Sequence, residues 1–114
     1  IFSTNPNCRN LPRNFFVETI ATTVFLTAIL AVATNYEKQL PIGVGLIVWA
    51  VGMGLGGTTG FAMNQARDLG PRLAHAVLPI KGKGSSRFDY GWIPVVGPII
   101  GGLLAVGLFN IIPW

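Results

Sequence analysis

Asn64 and Arg67 stand three residues apart, with Asp68 directly after the arginine. An asparagine amide and an arginine fork are hydrogen-bond donors suited to passing oxygen atoms. No nucleophile or base accompanies them. His75 and Cys8 are each the single residue of their type and lie far apart in sequence, so neither a catalytic pair nor a Cys/His metal site can be assembled. The chemistry is therefore binding, not bond-making, and no enzyme, cofactor or metal site is expected. The donors close the stretch Gly56 to Arg72, the most polar part of the chain, which lies between apolar runs. Its first half, through Met63, holds Gly and Thr without a helical stripe. It is expected to be extended backbone, with the carbonyls of Thr58 to Met63 forming a ladder of acceptors.

A helix is expected from Gln65 to Leu78 with Asn64 as its cap, a role in which an asparagine side chain accepts from amides one turn on. Its length, roughly 21 Å, crosses only part of a bilayer core of about 30 Å. Open backbone followed by a half-length helix is how membrane proteins build solute sites at mid-depth, because irregular chain survives there only against a cavity. An arginine in such a place costs at least ~2.5 kcal/mol on insertion scales. Arg67 is thus expected either to line a path or to pair with Asp68 or Glu18.

The elements that would position these groups are apolar. The chain has 114 residues, 51% hydrophobic and 11% charged, with a mean hydropathy of +0.58, far from the roughly 25% charge of soluble domains. An all-α membrane protein follows, as one membrane domain over residues 1–114. Spans are expected at Phe15 to Ala33, Ile42 to about Leu55 (extending toward Gln39 or Gly57), and Trp92 to Ile112, the last bracketed by the interface anchors Trp92 and Trp114. Residues 1–14 and 79–91 are expected as loops. The net charge of +4 forms no basic stripe, so lipid headgroups are the expected partner and nucleic acid is not. Gly52 to Gly57 satisfies a dinucleotide-loop pattern, but it ends an apolar run with no helix directly after it, so that reading is set aside.

Gly60-Phe61-Ala62-Met63-Asn64-Gln65-Ala66-Arg67-Asp68-Leu69-Gly70-Pro71-Arg72 resembles the second signature loop of the aquaglyceroporins, the glycerol uptake facilitators of the major intrinsic protein family. Phe2-Ser3-Thr4-Asn5-Pro6 and Trp92-Ile93-Pro94-Val95-Val96-Gly97-Pro98 extend the resemblance over essentially the whole chain. It implies the C-terminal half of such a channel: three transmembrane helices and one re-entrant half-helix, whose missing N-terminal repeat belongs to a longer protein. The opening Ile1-Phe2-Ser3, with no basic or cleavable apolar region, is in keeping with a start inside a loop. The implied activity is passive diffusion of glycerol, with water and small neutral polyols, through a homotetramer in the plasma membrane. A non-conducting assembly fragment is the alternative.

The resemblance also implies roles. Arg67 becomes the constriction arginine, Phe61 the apolar wall for a solute's carbons, and Gly52 a position whose lack of a side chain leaves room for glycerol. Ala62, Met63 and Asn64 complete the path; Glu18 and Asp68 hold the loop. Gln65 departs from the family's usual Asn-Pro-Ala; Pro suits the first helical position, and Gln is expected there as a tolerated variant with an extra amide to satisfy. His75 is left as a hydrogen-bonded surface residue. Basic residues gather at Arg9, Arg13, Lys81, Lys83 and Arg87 against Lys38 opposite. The positive-inside rule alone calls that side cytoplasmic, whereas the resemblance implies that the signature loop enters from outside, and the latter is the expectation adopted.

Overall fold

The computed structural model describes residues 3–113. Its long helices are α1 (Leu11–Asn35), α2 (Leu40–Leu55) and α5 (Ile93–Ile111), with a shorter α3 (Gln65–Val77) and a single turn, α4 (Phe88–Gly91). A 3-10 turn, Glu37–Gln39, runs straight into α2, and α4 runs into α5, so three stretches are long and apolar enough to cross a membrane: Leu11–Asn35, Glu37–Leu55 and Phe88–Ile111. Every described element is helical. The chain is a membrane protein with half of an aquaporin-like fold.

Several ends differ from expectation. The first span begins at Leu11, inside the segment expected to be a loop, because Asn10 Oδ1 accepts from Arg13 N at 3.1 Å and Pro12 sits in the first turn, where its missing amide costs nothing. The loop expected over 79–91 gives way to helix at Phe88. The half-helix stops at Val77, with Lys83 Nζ donating to the carbonyls of His75, Ala76 and Leu78 at 2.8–3.0 Å. A lysine there satisfies orphan carbonyls and the negative end of the helix dipole. Phe2 and Trp114, invoked from sequence as motif residue and anchor, lie outside the described residues. Trp92, at the other end of the last span, stacks on Phe15 with ring centroids 5.8 Å apart.

The three spans pack through small residues. A Cβ at Gly101 would fall 2.6 Å from Thr19 O and 2.8 Å from Thr22 Cβ, and one at Gly97 would meet Glu18 Cβ at 3.1 Å. The α1 and α5 backbones therefore approach as only small residues permit. Thr23 Oγ1, which donates to Thr19 O at 2.8 Å, also lies within 3.2 Å of Gly101 O across that seam. Gly43 plays the same part between α2 and α1, where a Cβ would lie 2.7 Å from Val32 Cγ1. Apart from this seam α2 is largely uncovered, with Ile42, Leu46, Trp49 and Met53 all exposed. Apolar surface of this kind needs lipid or further protein.

Candidate functional site: a half-helix tip and its buried brace

The polar stretch does not run extended as expected from its Gly and Thr content. Gly56 N donates to Gly52 O at 3.1 Å and Gly60 N to Gly56 O at 3.0 Å, so α2 unwinds through further turns before the chain reverses. The reversal passes through positive φ at Gly60 (85°), Phe61 (61°) and Met63 (42°). Such values cost a non-glycine residue of order 1 kcal/mol or more and mark backbone held by its surroundings.

Glu18 does much of the holding. Fully buried in α1, its carboxylate accepts from Met63 N at 2.7 Å and Ala62 N at 3.3 Å. An ionised acceptor taking two backbone amides makes the stronger kind of hydrogen bond. From the other side Asn7 grips the loop: its N donates to Thr58 O at 3.3 Å and its Nδ2 to Gly57 O at 2.6 Å. Of the carbonyl ladder expected over Thr58 to Met63, Thr58 O is therefore already occupied, and Thr59 and Ala62 are buried. Ala62, expected on the path, is buried at 3% exposure, with its N–H turned to Glu18. Met63 is half-buried.

Asn64 caps α3 as its residue type requires, with Oδ1 accepting from Ala66 N at 2.8 Å and Arg67 N at 3.3 Å. That leaves Nδ2 uncommitted on an exposed residue. Arg67 is exposed too, and its guanidinium carbon lies 5.9 Å from the centroid of the Phe61 ring. The ion pair considered from sequence, to Asp68 or Glu18, does not form. Asp68 faces the opposite way and Glu18 is spent on the loop.

Gly52 closes the arrangement. A Cβ there would fall 3.0 Å from Phe61 Cε2, and one at Gly56 would fall 2.9 Å from Phe61 Cβ. Both glycines admit the ring. Together with Asn7, Trp49 and Met53 they border an open hollow of about 660 Å³, apolar on most of its surface. Gly52, Phe61 and Arg67 thus form one continuous feature: bare backbone, flat ring, cationic fork.

Behind the tip lies a network in which the sequence singled out only Asp68. That carboxylate is completely buried and accepts from Thr4 N at 2.7 Å, from Thr4 Oγ1, and from the Nε and Nη2 of Arg72, four residues on. Arg72, 3% exposed, also donates to Thr4 O at 2.6 Å, Ser86 O at 3.0 Å and Arg87 O at 3.1 Å. One guanidinium therefore ties the N-terminal strap, the half-helix and the loop after it. The i, i+4 spacing of Asp68 and Arg72 was the signal available for this pair. Nothing local announced that it would be buried.

A short helix is thus entered through a strained turn that Glu18 of α1 holds, is tied by Asp68 and Arg72 to the N-terminal strap, and lies beside helices long and apolar enough to cross a membrane. The chain matches the family model described as major intrinsic protein over residues 2–109, and it belongs to that family. It is 56% identical to glycerol uptake facilitator protein 4 of Lactiplantibacillus plantarum, over 97% of this chain and 49% of the relative. With the D/L-lactic acid transporter of the same organism it shares 54%, again over 97% and 49%. The glycerol uptake facilitator protein of Bacillus subtilis is 50% identical, over 96% of this chain and 41% of its own length. The chain thus spans about half the length of the curated relatives it matches. Their names are those of facilitators and a transporter, not of enzymes.

Proposed function

We propose that this chain forms the C-terminal half of a passive channel for glycerol, together with water and small neutral polyols. The observation that carries the reading is the pairing of an unpaired Arg67 guanidinium with the Phe61 ring, 5.9 Å from its centroid. A three-carbon polyol has hydroxyls along one side and carbons along the other. Donors from Arg67 and Asn64 and carbonyls of Gly60, Phe61 and Met63 suit the first side; Phe61 and the bare backbone of Gly52 suit the second. Solute selection then needs no chemical step, only replacement of the water a hydroxyl sheds. The positive end of α3 would also oppose cations.

In this reading the signature loop enters from outside the plasma membrane. The exposed tip of α3 and the uncovered face of α2 meet a repeat supplied by the rest of a longer protein, and such channels assemble as homotetramers. Alone, the chain offers only one wall, and unsatisfied polar groups in hydrocarbon cost several kcal/mol each. It is therefore expected to form no sealed path by itself, so a conducting monomer of these residues in vesicles would overturn the half-channel reading. The name of one relative favours a second solute of similar size, undissociated lactic acid, which carries three oxygens on a three-carbon frame, two on its carboxyl carbon and one on the next.

The test is Gly52→His or Gly52→Phe in the intact channel, with glycerol and water fluxes followed by stopped-flow light scattering. The added side chain meets Phe61 and narrows the gap, so glycerol flux is expected to fall several-fold more than water flux. Equal loss of both would make Gly52 a packing residue and remove the constriction from this place.

A further inference from the structure

The described residues hold a second polar concavity, separate from the Gly52–Phe61 hollow. It is a cleft of about 160 Å³ bordered by Ser3, Asn5, His75, Ser85, Ser86 and Arg87, with buried Arg72 as its floor. At ~30 Å³ per liquid water it has room for about five waters. Its position is set by Asn5, whose main chain lies against Gly60, with Asn5 O 3.3 Å from where a Cβ on that glycine would sit. The cleft is thus one residue removed from the turn that carries Phe61, at the mouth on the loop side.

Its charge is unbalanced. The chain has four acidic residues: Glu18, Glu37, Asp68 and Asp89. Glu18 is buried on the loop amides, Asp68 is bound by Arg72, Asp89 pairs with Arg9, and Glu37 stands in the turn between α1 and α2. None is left for Arg87, which donates through Nη1 to the neutral Asn5 Oδ1 at 2.9 Å and has no other side-chain partner among the described residues. Arg87 also sits at φ 51°, a left-handed conformation that a non-glycine residue adopts only under constraint. Arg72 Nη1 on Arg87 O and Ser85 Oγ accepting from Arg87 N at 3.1 Å supply that constraint. Opposite lies His75, whose Nδ1 is 2.8 Å from Ser86 Oγ, leaving Nε2 available.

We propose that this cleft binds a small 2-hydroxy monocarboxylate anion of the lactate type. One free arginine fork matches one carboxylate. The serine hydroxyls and His75 ring match the neighbouring hydroxyl, which both donates and accepts. A neutral polyol would leave the Arg87 charge unanswered, and a doubly charged phosphate would want a second free cation, which Arg72, already saturated, is not. Captured there, such an anion is concentrated beside the mouth of the path. The inference rests on the proposed path only for that use; the binding stands on the cleft's own residues.

The experiment is a titration of the intact protein in lipid nanodiscs with sodium L-lactate, following the assigned ring resonances of His75 by NMR with ionic strength held constant by sodium chloride. A saturable shift is expected, and Arg87→Gln, which can still donate to Asn5, is expected to raise its half-saturation at least fivefold. Absence of a saturable shift in the unmodified protein overturns the proposal, as does the same response to chloride alone or an unchanged half-saturation in Arg87→Gln. Glycerol flux on the same preparation separates the two readings: flux without a lactate response removes the cleft site alone, and a lactate response without flux removes the path alone.

Discussion

Arg67 and Arg72 lie five residues apart on one short helix and have opposite fates. Arg72 is 3% exposed and bonded to Asp68, Thr4, Ser86 and Arg87, whereas Arg67 is exposed and lies over the Phe61 ring. The same side chain therefore serves once as a structural knot and once as an open donor. What separates them is the company each keeps. A buried carboxylate meets Arg72, while Glu18, the carboxylate nearest in purpose to Arg67, is consumed by the amides of Ala62 and Met63. Every acid near the tip is committed to the scaffold, and that is what leaves the tip arginine free.

The comparison breaks most visibly at the knot. Arg72→Leu strands the fully buried Asp68 without its partner, and losing one member of a buried pair costs about 3–5 kcal/mol. Thermal unfolding in detergent is expected to show a severe loss or no folded protein at all. A near-normal melting temperature would mean that the knot contributes little.

Glu18→Gln comes next. It keeps one acceptor oxygen but removes the charge, and hydrogen bonds to charged groups contribute roughly 1.5–3 kcal/mol. Lower thermal stability together with faster proteolysis within residues 56–64 is the expected result; unfolding that begins elsewhere would separate Glu18 from the loop. Gln65→Pro tests the first turn of α3 from the stabilising side. Gln65 is exposed and holds the first helical position, so proline there is expected to add about 0.4–1 kcal/mol through the unfolded chain. A destabilised variant would reveal a specific role for the glutamine amide.

Smallest of all, and therefore the sharpest test of the contrast, is Arg67→Leu. An exposed substitution away from packing changes stability within about 0.5 kcal/mol. The melting temperature should hardly move while glycerol flux changes markedly. Strong destabilisation by Arg67→Leu would place both arginines in the scaffold and erase the distinction.

Much of this was legible in sequence because it is local. The apolar runs Phe15 to Ala33 and Trp92 to Ile112 announce spans by length, the run from Ile42 to Leu55 needs extension toward Gln39 or Gly57, and each of the three long helices overlaps its expected segment. Asn64 announces a helix start by its own side-chain chemistry, and the start is where it was expected. Asn10 carried the same signal with Pro12 two residues on, and the loop assigned to residues 1–14 overlooked it. The path of residues 56–63 was misjudged for a different reason. Glycine permits nearly any backbone, so composition alone does not distinguish an extended run from a turn through positive φ.

What the sequence by itself determined is the inventory: three spans, one half-length helix, one arginine and one asparagine at its start, and too few acids to neutralise every cation. Tertiary structure decided which charges are spent. Glu18 reaches amides 44 and 45 residues away, Arg72 closes on a carbonyl 68 residues away, and Asn7 takes a carbonyl at Thr58. Hydrogen bonds of that range leave no periodicity in a sequence, since their partners meet only after the spans have packed through Gly97 and Gly101. The free arginine at the tip is a consequence of that packing.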